Sequence, residues 1–539
     1  MKTGRITPAI IIVSLLAASL PLSLYASSIF IECLLIYWFI EGVPFHRENG
    51  VFRTFSSNSK LVIKGIREKF VCFFKNPAAV AFSSLYLLYL VGCFWSSNYH
   101  YSIQELREKL PLLILPILFT GIKPFSDKEF KIILQIFIIG VLMGTMLGIY
   151  ILFTKQIGDT RELSPYISHI RFSMNVCLAI FILFRFLIKG PQLKPTERTI
   201  YLFIISWLVI FLFILKSLSG ILLFVFFSFY MLFYFSQQLK KRWLRKCAYA
   251  LLVIFPLLIL SFIYNIYNRH FNILPPNFSK LETLTAAGNP YIHDTINFKV
   301  ENGRYVGLYL CEKELKENWE KRSRLNFYGR NLQGEELRYT IIRYLNSKGY
   351  RKDAIGLSKL ATEEITNIEK GVANAGMVQP FNLTARIEGL FMGYDEYKKT
   401  GNANGKSEIQ RLEYWKTSIS IIKQNWLIGV GTGDVIEAFT KEYERSHSKL
   451  EVQFRSPSHN QYLYMGVAFG ITGLIIFLCW LFFPPLYLGA FKDYYFAALF
   501  CIMIISMLTD DSIRLQAGLN FQVFFSSLFL FGREKGGNQ

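Results

Sequence analysis

Apolar runs set the first constraint on this chain. Twelve of them recur, near 8–26, 27–41, 78–96, 109–122, 131–153, 172–188, 200–215, 220–236, 247–265, 461–482, 493–508 and 517–532. About 20 apolar residues in a helix cross the hydrocarbon core of a bilayer. A helix also satisfies its own backbone hydrogen bonds, which is the condition for residence in lipid. Hydrophobic residues make up 52% of the 539 and charged ones 18%, too few to give so much core a polar skin. The expected fold is an all-α polytopic membrane protein with about twelve transmembrane helices. A soluble enzyme, a disordered chain and a collagen-like chain are excluded.

The net charge of +21 does not point to nucleic acid, because of where it lies. Residues 266–458 carry 28 basic against 23 acidic side chains. The remainder carries 31 against 15, in short clusters between apolar runs. Clusters of that kind mark loops that stay in the cytosol. The strongest, 42–77 and 237–246 (QQLKKRWLRK), alternate correctly with the spans. Both termini are then cytoplasmic, and 266–458 lies outside the cytoplasmic membrane. The expected organisation is spans one to nine in 1–265, a large and mainly helical insert in 266–458, and spans ten to twelve in 459–539. Within the insert, 335–347, 361–372 and 409–427 carry the three-to-four spacing of amphipathic helices, with Thr362 as the expected N-cap of the second. Seven of eight cysteines lie in or beside apolar segments, so no disulfide framework is expected.

Chemistry-bearing residues gather at the mouths of spans. His459-Asn460 opens span ten, followed by Gly470 and Gly473 on one helix face, where small residues allow close packing. An imidazole at a water–membrane boundary acts as a general base, or simply caps the helix. Upstream, Arg411 begins an amphipathic helix that leads to Gly429-Val430-Gly431-Thr432-Gly433-Asp434. Glycines there either let backbone N–H groups reach an anion beside an arginine fork, or make a plain turn. Asp510-Asp511 sit between spans eleven and twelve with Arg514; they bind an acceptor sugar or pair with that arginine. There is no zinc-ligand spacing or nucleophile elbow, and neither metal nor cofactor is expected.

His459-Asn460, nine residues, Gly470 and Gly473 together resemble the signature of the O-antigen ligase family. The Arg411…Trp415…GVGTG block and LREKLPLLILPILF (106–119) are similar to the same family. The insert segments ELRYTIIRYLNSKGYRKDAIGLSKL and IEKGVAN resemble a subgroup from Bacteroidetes-type bacteria. The family shares its membrane fold with the Wzy-type O-antigen polymerases. The resemblance implies metal-independent, inverting glycosyl transfer at the periplasmic face of the bacterial inner membrane. The donor is a glycan on undecaprenyl pyrophosphate. The acceptor is a lipid A–core hydroxyl in a ligase, a second lipid-linked glycan in a polymerase, or a protein hydroxyl in an O-oligosaccharyltransferase. His459 matches the family's essential base and Arg411 its pyrophosphate arginine. Asn460, Asp434, Asp510 and Asp511 complete the expected substrate-binding set. Where the family has Ser-Arg-Gly or Ser-Arg-Ala, this chain has Lys216-Ser217-Leu218-Ser219-Gly220, so the second phosphate cation is Lys216 or Arg171. A transporter or flippase with an external domain is the rival from another class. It would need polar pathways through mid-membrane, whereas these polar residues gather at one face.

Overall fold

Each of the twelve apolar runs folds as a helix in the computed structural model, which describes residues 7–41, 47–48, 51–52, 59–155, 160–189, 193–215, 217–272, 277–294, 296, 299–378 and 382–534. The chain divides into two units, Met1–Met231 with Arg411–Gln539, and Leu232–Gln410.

The first unit is a helical bundle. Its N-terminal part contains α1 (Pro8–Ser19), α2 (Leu24–Ile40), α3 (Ser59–Phe74), α4 (Pro77–Gly92), α5 (Tyr99–Lys109), α6 (Pro111–Gly121), α7 (Asp127–Thr154), α8 (His169–Lys189), α9 (Pro195–Ile214) and most of α10 (Leu218–Gln238). Starts are marked by local chemistry. Asn76 caps α4 ahead of Pro77, and Ser126 and Glu129 form a reciprocal box at α7. Leu110 keeps helical angles (φ −48°, ψ −37°), so α5 runs directly into α6.

The second unit holds α11 (Arg242–Phe271) and the insert helices α12 (Glu312–Trp319), α13 (Leu337–Lys348), α14 (Ala354–Ser358), α15 (Thr362–Glu369), α16 (Ala375–Val378) and α17 (Leu383–Thr400), with a short hairpin pairing Val300–Glu301 and Arg304–Tyr305. The amphipathic faces read at 335–347 and 361–372 close over a core that includes Trp319, Phe327, Ile341 and Tyr344. Thr362 is not the cap of α15. Ala361 precedes the helix and its N–H donates to Glu364 Oε2 at 2.9 Å, so the box glutamate sits one position earlier than the Thr362 register requires.

The chain returns through α18 (Ser407–Gln424), then α19 (Val435–Arg445), α20 (Gln461–Leu488), α21 (Tyr494–Thr509) and α22 (Gln516–Leu530). The unit boundary at 410/411 groups Arg411 and the glycine loop with the bundle, whereas the sequence boundary at 458 places them in the insert. Backbone pairing of that loop onto α4 and α20 is the reason. Helix α22 is buried along most of its length and packs on α2, α6, α8 and α21.

Among the described residues, seven helices are long and apolar enough to cross a membrane: those over 77–95, 127–154, 169–188, 195–214, 220–238, 242–271 and 461–488. The other five runs give shorter helices; α1, with 12 residues, reaches only about 18 Å at 1.5 Å per residue.

Candidate active site

The site is built where the starts of α8, α20 and α22 meet the end of α21. Asn460 caps α20, its Oδ1 accepting from Leu463 N at 3.1 Å, while its Nδ2 donates to Leu508 O at 3.0 Å. Both ends of the amide therefore tie α20 to α21, and Asn460, expected to bind substrate, has a structural task. Buried Gln461 Oε1 accepts from Ile513 N at 3.1 Å and fixes the 510–515 turn against α20. His459 has φ +42°, in the left-handed region where non-glycine residues are uncommon. Its imidazole meets that turn.

Nδ1 of His459 lies 3.2 Å from Asp510 Oδ1 and 3.9 Å from Asp511 Oδ1. An ionised carboxylate only accepts, so the Nδ1 hydrogen bond requires the proton on Nδ1. Nε2 is then the acceptor, and Ser456 Oγ, 3.0 Å away, donates to it. Burial pushes the Asp510 carboxyl up, but the His459 hydrogen bond and the Arg171 charge outweigh it and hold the group down at about 2. Arg171 lies in the first turn of α8, with its guanidinium 3.1 Å from Asp510 Oδ2 and 3.0 Å from Ser168 Oγ. Gly518 makes room: a Cβ there would lie 1.9 Å from Ser512 O and 3.3 Å from Arg171 Nε.

Asp511 pairs with Arg514, so that alternative read from the sequence is the one the structure takes. The network continues into α5. Lys109, with no exposed side-chain surface, donates to Arg514 O at 2.7 Å and pairs with Glu105 at 2.9 Å. Arg171, Asp510, Asp511, Arg514, Lys109 and Glu105 thus form one network of three cations and three anions, whose formal charges cancel. Arg171 and Arg514 reach His459 through carboxylates. Neither Glu105 nor Lys109 stands out in the sequence, where they look like an ordinary i,i+4 pair.

Arg411 approaches from α18. One turn on, the ring of Tyr414 lies 5.4 Å from the imidazole of His459, tilted by 34°. The Tyr414 hydroxyl donates to Phe454 O at 2.7 Å. Burial raises that hydroxyl's pKa, and the nearby Arg411 charge opposes the shift. No acid forms an ion pair with the half-buried Arg411 among the described residues. It is a positive charge near Tyr414, the residue whose ring meets the base, and it lies outside the neutral network.

The glycine loop does not cradle an anion. Val430 N donates to Val467 O at 3.0 Å, Gly431 N to Ala468 O at 2.8 Å, Thr432 N to Gly92 O at 3.2 Å, and Gly433 N to Ser96 Oγ at 2.9 Å. Asp434, expected at the substrate, accepts from Ser97 N at 2.7 Å and Asn98 N at 2.8 Å, which occupies its carboxylate. Helix α20 is broken opposite the loop. Gly470 has φ +64° and ψ −160°, and a Cβ there would lie 2.4 Å from Leu427 C. Ile471 N then donates to Trp426 O at 2.8 Å and Thr472 Oγ1 to Leu427 O at 2.8 Å. The close approach expected at Gly470 is real, but it admits a loop backbone where a helix was expected.

Lys216 lies outside the described residues; Arg171 is joined to His459 through Asp510. His459, Asp510 and Asp511 can bring ligand atoms within 4.8 Å of one another. They fit a metal ion poorly, because each carboxylate already holds a guanidinium that supplies the countercharge.

Residues 362–478 match the family model Wzy_C, O-antigen ligase. The chain carries an O-antigen ligase family domain. No curated protein matches the chain. The matched O-antigen ligase segment contains Arg411, Tyr414, the glycine loop, His459 and the Gly470 break. Arg171, Asp510 and Asp511 lie outside it and are joined to it by the contacts above. The family consists of ligase- and polymerase-type glycosyltransferases, and the apolar helices make this a multi-pass membrane protein.

Proposed function

We propose that the chain transfers a glycan from undecaprenyl pyrophosphate to a lipid A–core hydroxyl at the periplasmic face of the inner membrane, as an O-antigen ligase. The observation that carries this reading is the Asp510–His459 pair, with Nε2 presented to a hydroxyl. The acceptor hydroxyl takes the position of Ser456 Oγ and gives its proton to His459 Nε2. Its oxygen forms a bond to the anomeric carbon from the face opposite the leaving group. The bond between that carbon and the phosphate oxygen breaks, and the electron pair leaves with the pyrophosphate. Asp510 orients the imidazole and balances the charge it gains, a role for which a permanently ionised carboxylate is suited. Arg411 meets the growing negative charge of the departing diphosphate with its planar fork. Inversion follows from a single displacement. Sugar stacking on Tyr414 fits the same geometry.

Deletion of the gene and inspection of surface polysaccharide tests the reading. Loss of a ligase leaves long lipid-linked chains and bare core. Single-repeat caps on the core would instead show a polymerase, and loss of glycoprotein alone would show transfer to protein. Restoration by the wild-type gene but not by His459→Ala ties the phenotype to the base.

A further inference from the structure

Helix α5 is turned inside out. The residues it buries are Ser102, Glu105 and Lys109, all polar, while Tyr99 and Ile103 are exposed. Spacings of three and four put the buried residues on one stripe. The Lys109 side chain has no exposed surface and that of Glu105 has 5%. Taking a charge out of water costs several kcal/mol, and a buried ion pair is often no more stable than apolar residues of similar volume. Stability alone gives no reason for this pair.

Both ends of α5 hold other parts of the bundle. At its start, Asn98 Oδ1 accepts from Tyr101 N at 3.0 Å, and the Ser97 and Asn98 N–H groups donate to Asp434. At its end, Lys109 Nζ donates to Arg514 O at 2.7 Å. The same ammonium lies 2.9 Å from Glu105 and 5.5 Å from the ring centre of buried Tyr89, so three contacts fix its position. Arg514 closes the turn that carries the acids. Its N–H donates to Asp511 O at 3.0 Å, and its guanidinium pairs with the Asp511 carboxylate. The neighbouring Ile513 N–H donates to Gln461 Oε1. Gln461 thus ties the turn to α20, whose start adjoins His459, and Lys109 ties it to α5. The support is firm, because α5 continues into α6 and α6 packs on α22.

We propose that Lys109 is a positioning residue for the transfer reaction: through Arg514 O it holds the 510–514 turn where Asp510 meets His459 Nδ1, and Glu105 neutralises its charge there. The inference rests on the proposed glycan transfer and adds to it a residue that does not touch the base. A neutral side chain of the same length would fill the space but would leave Arg514 O without its donor. The turn would then be free to shift, and a small displacement of Asp510 is enough to lengthen its hydrogen bond to the imidazole.

The test is glycan transfer by the full-length protein in proteoliposomes, with the lipid-linked donor varied. Glu105→Gln combined with Lys109→Met removes both charges, so neither is left buried alone. This paired variant is expected to lose about tenfold or more in kcat while KM for the donor stays within about twofold of wild type. Added to Asp510→Asn, it is expected to cost less than about twofold more, because residues acting through one contact are not additive. Asn520→Leu is the structural comparison. It breaks the buried Asn520–Ser27 hydrogen bond between α22 and α2, and is expected to lower the unfolding temperature with kcat unchanged. Should the paired variant not fold, Glu105→Gln with Lys109→Gln keeps polar groups in the helix but falls one atom short of Arg514 O, and the same loss is expected. Wild-type kcat in a folded variant overturns the inference. So does a full tenfold loss repeated in the Asp510→Asn background, which is the mark of general damage. His459→Ala separates the two readings. If it is inactive while the paired variant keeps full kcat, the clamp alone falls; if it transfers glycan like wild type, the proposed chemistry falls and the clamp with it.

Discussion

Asp510 stands between a histidine and an arginine: one carboxylate oxygen accepts from His459 Nδ1 at 3.2 Å, and the other lies 3.1 Å from the Arg171 guanidinium. The imidazole is thus held in one tautomer by an acid that is itself held in place. Loss of the base should reduce glycan transfer by about 10²–10⁴-fold, the usual contribution of general base catalysis. Asp510→Asn should cost about 10–100-fold, since it disturbs orientation and tautomer but leaves the imidazole. Transfer assayed in membranes, with expression matched, checks both; an Asp510→Asn protein as active as wild type would remove Asp510 from the mechanism.

Ser456 is a different case. Its hydroxyl sits where the acceptor is placed, so Ser456→Ala should change transfer by no more than a few-fold. A loss as deep as that of His459→Ala would mean that the serine takes part in proton transfer.

Arg411→Lys keeps the charge and removes the fork. Because lysine is a point charge without the paired planar donors, the change should lower transfer at least tenfold. Kinetics with varied donor concentration would show the effect. Equal activity of the lysine variant would reduce Arg411 to a simple countercharge.

The pH dependence of folding follows from Asp510. Its folded carboxyl is held at about 2, below the ordinary 3.8. A depressed acid stabilises the fold fully above its unfolded value and loses that contribution as pH falls through the folded one. Thermal unfolding in detergent should therefore show a fall in stability between pH 3.8 and 2 that is smaller in Asp510→Asn.

Gly470→Ala should damage the fold itself. The backbone region at φ +64° and ψ −160° is essentially reserved for glycine, and occupying it with another residue costs about 1–3 kcal/mol before any collision. The added Cβ would also meet Leu427. A lowered unfolding temperature is the expected result, and Gly473→Ala, whose Cβ would lie 2.0 Å from Phe469 Cβ, should lower it as well.

Much of the architecture was legible because lipid imposes a simple code: long apolar runs between basic clusters. Three helices, α13, α15 and α18, were legible from their spacing; α12, α14, α16 and α17 were not read from the sequence. At the site, His459, Arg411, Arg171 and the paired acids could be found because polar groups at span mouths are conspicuous. Glu105 and Lys109 could not, since an i,i+4 pair looks the same in water and in a core. Tyr414 and Ser456 matter only through proximity to His459, which spacing does not reveal. Asp434, Asn460 and the glycine loop have structural partners that the sequence does not show. Asp434 and most of the loop pair with backbone distant in the chain, and such pairing leaves no local trace.

The pairing of 426–433 with two separate helices has a mechanical consequence. Arg411 is carried on the helix that leads into this segment, and His459 lies just before the helix that receives it. Main-chain hydrogen bonds therefore clamp the two helices together near the far end of α18, like the jaws of a locked caliper. Parting them there requires several of those bonds to break at once.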